Sequence, residues 1–266
     1  MVLMLGLGLL VGAIMALTGA GGGILAVPLL IFGAGLGLSQ AAPIGLLAVG
    51  ISAALGAALG LKAGVVRYKA ALLMAATGML LAPAGVWLGG LIDNRWLSVL
   101  FAFILLIVAY RTFRQAGTDE ANSGVKDDPA LPCIRSSDTG RFIWTTRCAR
   151  ALAVSGTVAG LLSGLLGVGG GFVIVPALKR STDLAMQSIV ATSLAVIALV
   201  SISGVSSSAL AGSLNWDAAM PFTGGALAGM LAGRRVSVYL AGPQLQKGFA
   251  GVSGMVAIGM IVKSLA

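Results

Sequence analysis

Few residues in this 266-residue chain could do chemistry, and two clusters of them are copies of each other. TGAGGGILAVP, from Thr18 to Pro28, lies inside an apolar run, and LGVGGGFVIVP, from Leu166 to Pro176, repeats its four glycines and its Val-Pro ending. Glycine loses more freedom on folding than any other residue, so each cluster is expected to break a helix for a purpose. Helices restarting near Ile24 and Phe172 would aim unpaired N–H groups and the positive end of the helix dipole at one place. Such a place attracts an anion without a buried lysine or arginine. The expected ligand is small, anionic and rich in acceptor oxygens. Its expected contacts are Gly19, Gly21, Gly22 and Gly23 in the first cluster and Gly167, Gly169, Gly170 and Gly171 in the second. Close helix packing is the competing role, and it suits Gly56, Gly60, Gly85 and Gly89. The matched Pro28 and Pro176, each removing a helix donor, favour a break at the clusters.

A second tier of candidates is polar. Gln40 and Gln187, 147 residues apart, precede matching apolar segments. Their amides could donate to an anion or simply face solvent at a helix start. Thr192 and Ser193 lie one to two turns inside a segment, where a hydroxyl reaches either a cavity or its own helix backbone. Gly45 and Leu46, the first-half counterparts, lack hydroxyls, so the site is expected to be asymmetric. Thr18, Ser52, Thr77, Ser163 and Ser201 are weaker candidates of the same kind.

Other chemistries find no support. The chain has no histidine and two cysteines, Cys133 and Cys148, in or beside a polar stretch, so neither zinc nor Cys/His catalysis is expected. It has no GK[ST] and no HExxH. Asp93, Asp183 and Asp217 sit at segment ends, which leaves no proton-relay carboxylate at membrane depth. No enzyme activity, cofactor or metal is expected.

The elements that must position these residues are membrane segments. Hydrophobic residues make up 58% of the chain, charged residues 9%, and the mean hydropathy is +1.03, whereas a soluble domain carries about 25% charged residues. The expected partner is therefore the lipid bilayer. The formal net charge of +9 resides in short loops rather than in a basic stripe, which argues for topology signals and against nucleic acid. With no charged residues ahead of the first apolar run, a removed signal peptide is not expected.

Apolar segments span about 2–36 (broken at 18–23), 41–61, 70–92 and 96–113, then 151–178 (broken at 167–171), 186–211, 218–233 and 245–265. The expected organisation is a first membrane repeat over 1–113, a cytoplasmic linker over 114–150 and a second membrane repeat over 151–266. The halves align at a spacing of about 148: Gly21 to Gly23 fall on Gly169 to Gly171, and the segment Gly64 to Ala71 falls on Gly212 to Ala219. Paired, glycine-interrupted segments in matching positions mark secondary transporters.

Charge tests the orientation. If all eight segments cross once with a cytoplasmic start, the 17 Lys and Arg divide eleven inside against six outside. If segments one and five re-enter on the side they came from, each half crosses three times and the second half is inverted. Only Arg95 and Lys263 then remain outside, a much better fit to the positive-inside rule. The roughly 16 residues before the first glycine cluster and 10 after it, at about 1.5 Å each, fall short of a core about 30 Å thick. The expected fold class is an all-α polytopic membrane protein of two inverted repeats, four apolar segments each, both opening with a glycine-broken re-entrant hairpin. A kinked single crossing is the alternative.

The duplicated GAGGGILAVPLL and GVGGGFVIVPAL, each at the start of a four-segment half, with ATSLAV following the second, resemble the TauE/SafE family of sulfite exporters. The resemblance spans nearly the whole chain outside the linker. It implies a multi-pass carrier of the bacterial inner membrane for sulfite, thiosulfate or organosulfonates such as sulfoacetate. The first half departs from it, with IGLLAVG where the second has ATSLAV. A secondary anion transporter is the expected function; an anion channel and a membrane assembly factor are the alternatives. An anion leaving a negative-inside cell gains about 2.3 kcal/mol per charge per 100 mV, so export would need no coupling ion. A homodimer is compatible with the sequence and not demanded by it.

Overall fold

Lipid offers no partner for backbone N–H and C=O groups, so the apolar segments must become helices. The computed structural model describes residues 1–18, 23–118, 133, 145–240 and 243–265, and nearly all of these are helical. The first half holds α1 (Val2–Thr18), α2 (Ala26–Gly33), α3 (Leu38–Lys62), α4 (Tyr68–Leu91) and α5 (Asn94–Thr118). The second holds α6 (Thr146–Leu166), α7 (Gly171–Ser181), α8 (Met186–Leu210), α9 (Trp216–Leu240) and α10 (Pro243–Leu265). Helix thus extends past 113 and begins before 151, and between the halves only Cys133 and Thr145 are described outside helices.

Among the described residues five helices, α3, α4, α5, α6 and α8, are long and apolar enough to cross a membrane. The outer surface agrees with a lipid environment: Leu72, Leu80, Phe103, Met255 and Ile258 all expose more than half their area, an arrangement water would punish. Trp87 and Trp96, near the end of α4 and the start of α5, are exposed as well. The chain is a multi-pass membrane protein.

Small residues set which helices meet, because they let backbones approach. Gly8 packs on Phe222 and Ala226, and Gly12 on Ala226 and Met230, so α1 and α9 run parallel. Gly156 packs on Met74, Gly160 on Gly78 and Gly164 on Ala82, so α6 and α4 are parallel too. Each half therefore lays its first helix against the fourth helix of the other.

The central pair behaves differently. Gly204 meets Leu46, Gly50 meets Ser201, Gly56 meets Leu194 and Gly60 meets Ala191. Numbers rise along α3 as they fall along α8, so these two equivalent helices are antiparallel. Helix α4 runs with α8: Arg67 N–H donates to Thr192 Oγ1, Gly78 meets Val200, and Ser203 Oγ donates to the Met79 carbonyl. Since α6 also runs with α4, α6 and α8 point the same way, and the chain between them must double back through α7.

A second contact leads to the same geometry. Cys133 forms a disulfide with Cys148 in the first turn of α6, and its N–H donates to the carbonyl of Ser181 at the end of α7. One residue thus touches both the start of α6 and the finish of α7. The cysteine pair was not evident in the sequence, where the two residues offered little beyond their place near the polar stretch.

Candidate functional site

In the second half the glycine cluster is a tight reversal. Helix α6 ends on Gly167, whose φ of 70° lies in the left-handed region and whose N–H donates to the Ser163 carbonyl. Helix α7 then begins from Gly170, also left-handed at φ 68°. A side chain on Gly167 would run into the backbone of Ala42 on α3, and one on Gly170 would come within 2.6 Å of the Ala159 carbonyl oxygen. Two demands therefore select glycine here, the backbone angle and the close approach. The N–H groups of Val173 and Ile174 both donate to the Gly170 carbonyl, so those of Gly171 and Phe172 precede the first intrahelical bonds.

The last glycine of the first cluster meets this turn. Gly19, Gly21 and Gly22 lie outside the described residues. Gly23, which opens a short 3-10 turn ahead of α2, is described and buried. A Cβ on Gly23 would sit 3.0 Å from Val49 Cγ1 and 3.3 Å from the Val168 carbonyl oxygen. A Cβ on Gly169 would sit 2.9 Å from the same Val49 methyl and 2.8 Å from Ile197 Cγ2. Val49 and Ile197 are each the twelfth residue of a 25-residue helix, so Gly23 and Gly169 lie together at mid-length of α3 and α8. Gly45 explains why the first half lacks a hydroxyl at this level: a Cβ there already lies 3.2 Å from the Gly167 carbonyl oxygen.

The polar candidates separate by hydrogen bonding. Gln40 and Gln187 are exposed in the first turns of α3 and α8. Thr192 is buried and accepts the Arg67 N–H, which ties the start of α4 to α8. Ser193 is buried and donates to the carbonyl of Ile189, four residues back. Thr77 bonds its own helix in the same way.

Ser52, Ser163 and Ser201 do not. All three are buried, and none of their hydroxyls has a hydrogen-bond partner. Ser201 Oγ would lie 3.9 Å from a Cβ on Gly169; Ser163 sits one turn before Gly167, and Ser52 one turn beyond Val49. An unpaired buried hydroxyl costs about 1–3 kcal/mol, so each of these three calls for a physical explanation. Thr223 on α9 is a further buried, unpartnered hydroxyl that the sequence reading did not single out. Val49 and Ile197 were also missed, though their 148-residue spacing matches that of the glycine clusters. Among the described residues no group of His, Cys, Asp or Glu could hold a metal ion.

Comparison with known proteins points to a membrane transporter. A model of the family described as Sulfite exporter TauE/SafE matches residues 4–260. A probable membrane transporter protein of Xylella fastidiosa (strain 9a5c) is 32% identical over 242 residues, covering 88% of this chain and 85% of that protein. The probable membrane transporter protein YunE of Bacillus subtilis (strain 168) is 27% identical over 253 residues, covering 89% and 88%. No solved structure matches the chain.

Proposed function

This chain belongs to the TauE/SafE family, and from that premise we propose that it is a secondary membrane transporter, an exporter or permease, of small sulfur-containing anions such as sulfite or organosulfonates. The observation that carries the reading is the meeting of Gly23 from the first half with the Gly167–Gly170 turn of the second at mid-length of α3 and α8. Unpaired hydroxyls and helix-start N–H groups stand beside them. Donors without full charge suit an oxyanion that must be released again on the other side. The binding set we assign is Gly19, Gly21, Gly22, Gly23, Gly167, Gly169, Gly170 and Gly171, joined by the hydroxyls of Ser52, Ser163 and Ser201. Gln40, Gln187, Thr192 and Ser193 are given outer or helix-locking roles.

The membrane arrangement we infer is an inverted repeat with two re-entrant hairpins in a bacterial inner membrane, the linker facing the cytoplasm. Antiparallel packing of α3 and α8 supports the inversion, because equivalent helices related in this way need a pseudo-two-fold axis lying in the membrane plane. Contact of Cys133 with both ends of the α6–α7 hairpin supports re-entry from one face. Nothing in the sequence suggests an ATP site, and the membrane potential suffices to drive anion efflux. The test of function is saturable, ATP-independent uptake by the purified protein in liposomes; conductance that never saturates would instead make it a channel.

The topology has its own test. Single cysteines at Ala34 and Lys179, in a Cys133→Ser/Cys148→Ser background, are expected to react with impermeant maleimide from opposite faces. Reaction from one face alone refutes the inversion. Orientation is read from the native pair: a cytoplasmic linker predicts that Cys133 and Cys148 are thiols in acid-quenched growing cells and pair only on oxidation. A disulfide in those cells would turn the protein over.

A further inference from the structure

On the flank of the molecule, away from the central turns, α5, α7 and α10 enclose an open groove of about 820 Å³. Three arginines stand around it, Arg111 and Arg114 on α5 and Arg180 at the end of α7. Arg114 lies over the Tyr110 ring, 5.9 Å from its centre. The end of α7 is the linker-side end, since Cys133 donates to the Ser181 carbonyl. The remaining walls are apolar, including Leu106 and Phe113, both exposed. Gly251 on α10 leaves the groove open at that point, for a Cβ there would meet nothing within 4 Å.

The order of these residues along α5 matters. Leu106 lies eight residues before Arg114, about 12 Å along the helix. An apolar lower groove therefore leads up to a cationic rim, with an aromatic ring between, at the level where a bilayer passes from acyl chains to headgroups. A soluble anion would satisfy the arginines and leave the walls bare. The described lining carries three arginines and no carboxylate, which suits an anionic headgroup better than a zwitterionic one. An anionic headgroup on two acyl chains answers both halves of the groove.

We propose that this groove is a binding site for an anionic diacyl phospholipid of the linker-side leaflet, its phosphate held by Arg111, Arg114 and Arg180 and its chains lying along α5 and α10. The site is separate from the central turns and does not depend on the substrate assigned to them.

Native mass spectrometry of the full chain, released from mild detergent with added phosphatidylglycerol or phosphatidylcholine of matched chains, tests it. Phosphatidylglycerol is expected to remain bound under activation that strips phosphatidylcholine. The Arg111→Gln/Arg114→Gln/Arg180→Gln variant should lose affinity by about fivefold for each arginine removed. Arg111→Lys/Arg114→Lys/Arg180→Lys, which keeps the charge, should retain most of the binding. Equal retention of the two lipids by the unmodified protein overturns the proposal without recourse to any variant. So does displacement of the lipid by excess inorganic phosphate, or a dimer in which Phe113→Cys crosslinks to a second copy across this face.

Discussion

Ser201→Ala and Ser52→Ala are each expected to weaken transport about tenfold to a hundredfold while leaving thermal stability unchanged or slightly raised. The two halves of that expectation come from one fact: both hydroxyls are buried and unpartnered. A hydroxyl with no partner in the empty protein can be removed without breaking a bond, and its removal relieves a desolvation cost. A hydrogen bond to an anion is worth about 1.5–3 kcal/mol, the source of the expected loss. Ser193→Ala is the contrast, because its hydroxyl bonds the Ile189 carbonyl and its loss should leave transport near the unmodified level. Normal transport by Ser201→Ala and Ser52→Ala would remove the hydroxyls from the site.

Gly169→Ala is expected to abolish transport in a protein that still folds. The new methyl would press on Val49 and Ile197 side-chain methyls at 2.9 and 2.8 Å, which can yield, and would fill the space beside Ser201. The left-handed backbone, φ 74°, adds about 1–2 kcal/mol of strain, so a reduced yield accompanies the loss. Gly167→Ala separates the two effects, since its methyl meets the backbone of Ala42, which cannot yield, and no folded protein should be recovered. Gly6→Ala points into open space and should transport normally. If Gly169→Ala transports as well as Gly6→Ala, the turn is a packing feature. Gly170→Val is a poorer probe, because a clash with the Ala159 carbonyl would confound folding with function.

The repeat and its two breaks were legible in the sequence because glycine clusters at a fixed spacing survive without any knowledge of packing. Both helices that restart after the clusters appear close to the expected positions, at Ala26 and Gly171. Which hydroxyls are left unpaired was not legible. Ser193 and Ser201 look alike in an apolar helix, and only the rotamer and the neighbours of each decide whether it bonds its own backbone. Thr192 could not have been assigned to the Arg67 N–H, since that bond joins residues 125 apart. The exchange of first helices between halves was equally hidden, as its signal is small residues at helical spacing, a pattern found throughout this chain. The arginine-lined groove joins Arg111 and Arg114 with Arg180 from the other half, a proximity that sequence order does not display.

The most direct measurement of the central claim is counterflow in proteoliposomes loaded with sulfite, sulfate, thiosulfate, sulfoacetate, acetate or chloride, with and without an imposed potential or pH gradient. A secondary carrier for sulfur anions predicts saturable counterflow of labelled sulfite or a sulfonate without ATP, against little for acetate and chloride. An outside-positive potential should speed anion efflux. Indifference to the whole panel, or flux that rises without saturation and shows no counterflow, would contradict it.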